Sequence, residues 1–124
     1  MIFQNEKVSL YLEVVKYQFE NANNVCDRNW LIVKVKLLEV NKVYNTMDPF
    51  LKTSDLQHMK NWFQSLPNPP YKELDFIEPT LAFEFIGEYE GGFHIVIRLS
   101  QELNPLWCKE EEYELSISIT QEYL

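Results

Sequence analysis

Over residues 7–14 apolar and polar positions alternate one for one, with Val8, Leu10, Leu12 and Val14 on one face and Ser9, Tyr11 and Glu13 on the other. A two-residue period of this kind predicts a half-buried β-strand, which the apolar content carries on to Phe19. The alternation fails where Val15, Tyr17 and Phe19 put apolar side chains on the polar face. This predicts a bulge near Val14-Val15, or a second contact surface there. Residues 20–29 are polar and rich in Asn and read as a loop. The period returns over 30–40, with Leu31, Val33, Val35 and Leu37 inward and Lys34 and Lys36 outward. A turn at Asn41-Lys42 then leads into a weaker strand over 43–47.

The period changes after residue 53. Ser54-Asp55-Leu56-Gln57 has the form of a capping box with an acidic residue in the first turn, which predicts a helix start. Leu56, Met59, Phe63 and Leu66 recur at spacings of three and four, giving one buried stripe with Trp62 at its border. Pro67-Asn68-Pro69-Pro70 ends the helix near residue 66. Strands follow over 73–77, 81–89 and 93–100, and a last one over 113–123 alternates Tyr113, Leu115, Ile117 and Ile119 with Glu114, Ser116, Ser118 and Thr120. For the hairpin around Gly91-Gly92, a two-residue loop of the two glycines sets Phe83 and Phe85 beside Ser100 and Arg98. A three-residue loop, Glu90 to Gly92, aligns Phe85 with Ile97, Phe83 with Leu99, Glu84 with Arg98 and Glu88 with His94, and is preferred because it keeps the apolar face whole.

The expected fold is α+β: a mostly antiparallel sheet of roughly seven strands, with one helix near 54–66 packed on one face. A β-sandwich with an inserted helix is the alternative. The proline-rich turn at 67–70 separates halves too small to stand alone, so residues 1–124 are expected to form a single domain.

At 124 residues and 46% apolar, the chain can bury an ordinary core, so neither a metal nor a disulfide is required. The formal net charge is −8, which argues against a partner that must be recognised through phosphates or anionic lipid. Residues 1–62 hold eight basic and seven acidic groups, whereas 63–124 hold three and twelve. The second half is therefore placed to steer in a basic partner, and salt should weaken that attraction.

Candidate chemistry is sparse. The glycines at 87, 91 and 92 surround a hairpin tip and do not precede a helix, so no phosphate-cradling loop is formed. His58 and His94 lack ligand-spaced partners, and Cys26 and Cys108 read as reduced thiols. Glu88 facing His94 and Glu84 facing Arg98 read as sheet-stabilising pairs, and Asp48-Pro49 and Glu78-Pro79 as turn entries. No catalytic, cofactor-binding or metal-ligating set is expected. With no leader-like amino terminus and no apolar run near the ~20 residues of a membrane span, the cytoplasm is the expected location.

Five segments stand in a particular order: Asp27-Arg28-Asn29-Trp30-Leu31, Asp48-Pro49-Phe50-Leu51, Leu56 through Trp62-Phe63, Phe76-Ile77-Glu78-Pro79-Thr80-Leu81-Ala82-Phe83, and Pro105-Leu106-Trp107. In these the chain resembles the WapI family of bacterial immunity proteins over about residues 8–124, with Arg28 where a small residue is expected. The resemblance implies a cytoplasmic, non-catalytic inhibitor without a cofactor, whose partner is the C-terminal domain of a cognate toxin. With the charge asymmetry, the expected mechanism is an acidic patch that docks on the basic cleft of a nuclease-type toxin. Glu84, Glu88, Glu90, Glu110, Glu111 and Glu112 are the candidate contacts, whereas Trp30, Phe76, Glu78, Phe83 and Trp107 are read as core and turn determinants. The competing reading is a small-molecule or peptide-binding domain, or a homodimer, built on the apolar strand face of Tyr11, Val15, Tyr17 and Phe19.

Overall fold

The computed structural model describes residues 1–17 and 30–120. The expected loop over 20–29, Phe19, Cys26, the Asp27-Arg28-Asn29 segment and the end of the last strand lie outside the described residues. The fold is α+β, and the described residues hold eight antiparallel strands divided between two four-stranded sheets, with one α-helix. In chain order the elements are β1 (Ile2–Gln4), β2 (Val8–Tyr17), β3 (Trp30–Glu39), β4 (Lys42–Lys52), α1 (Thr53–Ser65), β5 (Glu73–Leu74), β6 (Leu81–Tyr89), β7 (Gly92–Ser100), a 3₁₀ turn (Gln101–Leu103) and β8 (Glu112–Thr120). Two compact units result, Met1–Gln57 and His58–Leu124, and the division falls inside α1, not at the proline-rich turn.

The first unit holds the meander β1-β2-β3-β4. Val8, Leu10, Leu12, Leu31, Val33, Val35 and Leu37 are buried along one face, as the alternation requires. The register between β2 and β3 slips between Val14 and Lys16, which leaves Val15 as the bulge residue and accounts for the broken pattern. Because of that slip the backbone of Tyr17 takes the register position opposite Leu31. The turn is one residue earlier than expected, at Val40-Asn41, where Asn41 has φ +62°. β4 also runs five residues beyond Met47, through Asp48-Pro49. Proline is tolerated there because β4 is an edge strand and its pairing with β3 slips between Leu31 and Val33, where the missing N–H costs no regular ladder bond.

The helix begins at Thr53, and the cap differs from the expected box. Asp55 Oδ2 accepts the Lys52 backbone N–H at 2.7 Å, so the residue reaching back to the cap is Asp55, two positions before Gln57. The buried stripe is Asp55, Met59, Trp62 and Leu66, with Leu56 and Phe63 half-buried at its margins. Trp62 is therefore central, not a border residue.

The second unit holds the meander β5-β6-β7-β8. Its core is Leu81, Phe83, Phe93, Ile95, Ile97, Leu99, Leu103, Leu115 and Ile117. The rings of Trp62, Phe63 and Phe76 gather on Phe83 at centroid distances of 6.3, 5.3 and 6.5 Å. The hairpin register departs from the expected one. The loop is Glu90-Gly91, both with positive φ (+54° and +77°), the pattern of a tight two-residue turn whose twist suits the strands. Gly92 is already in β7, and a Cβ there would lie 2.5 Å from Ser118 Oγ, so its lack of a side chain serves the approach of β8. A slip between Phe85 and Gly87 then pairs Phe85 with Ile95 and Phe83 with Ile97. The expected apolar face is preserved, shifted by two residues.

Candidate functional site

The exposed face of the second sheet is organised around Arg98. On β7 its backbone pairs with Ala82 on one side and Glu114 on the other. Its guanidinium reaches Glu84 Oε1 on β6 at 2.5 Å, Glu73 Oε1 on β5 at 3.4 Å, and Glu114 Oε1 and Glu112 Oε1 on β8 at 3.4 and 3.6 Å. All four strands thus supply a member. Arg98 and Glu84 are sheltered, 22% and 28% exposed, and form the charge-assisted bond that matters most. The other three carboxylates are more open, and such pairs contribute little individually. The arginine pKa is raised above its ordinary value, chiefly because Glu84 accepts its hydrogen bond; partial burial opposes this, and the charges of Glu84 and Glu114 add to it. Four carboxylates around one guanidinium leave a formal excess of three negative charges on this face. Chemically, the arrangement is a fixed anionic surface that attracts guanidinium and ammonium groups.

Beside it, the second half of α1 and the segment entering β5 enclose an open groove of about 980 Å³. Trp62 and Leu74 contribute apolar lining, and Tyr71, 76% exposed, lines the groove together with the acidic Glu73, Asp75 and Glu84. Trp62 Nε1 donates to the Tyr71 carbonyl at 2.9 Å, which ties the segment after the proline turn to the helix. His58 also lines this groove.

The model of the immunity protein WapI-like family matches residues 1–124. The chain belongs to this family. Neither the comparison with curated proteins nor that with solved structures gives a match. Residues that carried the resemblance to the WapI-like family take structural places: Phe83 is fully buried, Phe76 packs on it, and the turn through Pro79 and Thr80 is tied to β7, where Ser100 Oγ donates to the Pro79 carbonyl and Ser100 N to that of Thr80.

The six glutamates expected to act together are dispersed on this WapI-like fold. Glu84 and Glu112 meet at Arg98. Glu110 and Glu111 lie in the loop leading into β8, their carbonyls accepting from Asn104 Nδ2. Glu88 and Glu90 are at the hairpin tip, with Glu88 four residues along β6 from Glu84 and beyond the register slip between Phe85 and Gly87. Glu84 pairs in register with Val96 and reaches Arg98 diagonally, so the contact expected from sequence exists by a different geometry. Glu88 does not face His94; it pairs with Phe93, and the His94 ring stacks on Tyr89 at 3.7 Å with Nε2 3.0 Å from the Tyr89 carbonyl oxygen. Glu73 and Glu114 were missed. Glu114 had a signal, since it alternates outward on the strand beside Arg98, whereas Glu73 reaches the face only through a two-residue pairing with β6. Among the described residues there is no cluster of three or more His, Cys, Asp or Glu arranged to hold a metal, and no helix long and apolar enough to cross a membrane.

Proposed function

We propose that this immunity protein is a non-catalytic cytoplasmic inhibitor that neutralises the C-terminal domain of a cognate nuclease-type toxin by laying the Arg98-centred acidic face on its basic substrate cleft. The observation that carries this reading is the excess of carboxylates over cations held on that one face by all four strands of the second sheet. A preorganised anionic surface competes with nucleic acid for the same basic groups and speeds encounter by steering. Glu84 and Glu112 form its centre with Glu73 and Glu114, Glu110 and Glu111 extend it, and Glu88 and Glu90 form a second patch at the hairpin tip.

The test begins with a tagged pull-down from the native cells at low salt, with mass spectrometry of what high salt releases, followed by titration of the recovered toxin domain. Replacing Glu110, Glu111, Glu112 and Glu114 together with Gln is expected to weaken binding at least ~10-fold, mainly through a slower association rate. Unchanged affinity and unchanged salt dependence in that variant would sink the acidic-face mechanism.

A further inference from the structure

We infer that the groove between the second half of α1 and β5 receives an arginine side chain presented by the partner protein. The identity of that partner rests on the reading above; the chemistry of the occupant is argued from the groove itself. Leu74, with the small part of Trp62 left exposed, suits an aliphatic stem, which gains by leaving water along apolar surface while its charged head stays near the carboxylates. Glu73, Asp75 and Glu84 line the same groove. Glu73 and Glu84 already show what they accept, because both hold oxygens within 3.4 Å of the Arg98 guanidinium. That single guanidinium is shared among four carboxylates, and the 62% exposure of the Glu73 side chain leaves it open to a second cation from the groove side.

Tyr71 makes the case for arginine over lysine. Tyr71 is 76% exposed and its backbone carbonyl accepts from the Trp62 indole, so a solvent-accessible aromatic ring is available on the same groove that Glu73 and Asp75 line. A planar guanidinium can stack on that ring and point its N–H groups at Glu73 and Asp75 together, which a compact ammonium cannot. The groove thus adds shape and a specific side chain to an interface that is otherwise only anionic.

The experiment is an NMR titration of the full chain with acetyl-Leu-Arg-Leu-amide, following the Trp62 indole N–H, against the same peptide carrying citrulline or lysine. Saturable shifts of the Trp62 resonance are expected with the arginine peptide, with the citrulline peptide at least ~5-fold weaker. Tyr71→Ala is expected to weaken the arginine peptide about 2–5-fold and Tyr71→Phe to restore it, because the ring and not the hydroxyl makes the contact. Glu73→Gln is expected to weaken it similarly. No saturable shift, equal binding of the citrulline or the lysine peptide, or equal binding to Tyr71→Ala overturns the assignment. With the toxin domain in hand, Tyr71→Ala must also lower its affinity; unchanged toxin affinity overturns the claim that the partner's arginine sits here. A saturable peptide titration in a protein that binds no toxin domain overturns instead the reading of the preceding subsection and leaves the arginine site standing.

Discussion

Arg98 is the residue on which the second sheet's exposed face depends, because its guanidinium is shared by Glu84, Glu73, Glu112 and Glu114. Removing it leaves a sheltered Glu84 carboxylate on the strand position directly across from Glu73 without the guanidinium that bridges them. Arg98→Ala is therefore expected to cost about 1–3 kcal/mol in urea unfolding, most of it from Glu84, and Arg98→Lys to recover only part, since an ammonium cannot bridge strands as a fork does. The variant Glu84→Gln/Arg98→Ala should be more stable than Arg98→Ala alone, the signature of a coupled pair. The direction of the arginine pKa also settles a pH question. A raised value in the folded state means its contribution is fully present below arginine's ordinary range and is lost only as pH rises through the higher value. Arg98 thus remains a cation throughout neutral and acidic pH, and stability curves recorded between pH 5 and pH 9 should show no step assignable to it.

At the scale of elements, two local devices were visible in the residue types but misplaced along the chain. The sequence pattern points to Ser54 with Gln57 as the helix cap, yet it is Asp55 Oδ2 that accepts the Lys52 N–H. The spacing rule is the same; what moved it was the burial of Asp55, Met59, Trp62 and Leu66, which sets the helix phase by packing. Asp55→Ala should cost about 0.5–2 kcal/mol, whereas Ser54→Ala should fall within about 0.5 kcal/mol of wild type; thermal unfolding of the two separates the alternatives. The hairpin turn is the second device. Glu90 adopts a left-handed conformation that a side chain with a free Cβ adopts at a cost, followed by a glycine that does so freely. Glu90→Asn should raise stability by about 0.5–1 kcal/mol, as a higher Tm, because Asn-Gly suits this turn. The Gly91-Gly92 pair looked like one feature in sequence and proves to be two, a turn residue and a packing residue against Ser118.

At the scale of the whole molecule, the prediction concerns association. If the proposed acidic face carries toxin binding, that binding should weaken steeply between about 50 mM and about 500 mM salt, with the change falling on the association rate. Stopped-flow measurements across that range check it, and a salt-independent rate would mean that the acidic face is a solubility device. The strand content, the α+β class and most inward-facing residues were legible in the sequence, since Leu10, Val33, Phe83, Ile97 and Leu115 report burial through a two-residue period that any sheet must obey. The charge asymmetry was legible as well, because charge is additive along a chain. What only the tertiary structure decided is which of those charges meet. Bulges at Val15 and between Phe85 and Gly87 each shift pairing by a residue, and β5 enters the sheet through only two residues, Glu73 and Leu74. One-residue slips change every cross-strand neighbour while leaving composition and almost all of the alternation intact. That is why the sequence by itself determined an acidic, sheet-forming chain, and only the folded registers decided that Glu73, Glu84, Glu112 and Glu114 converge on Arg98.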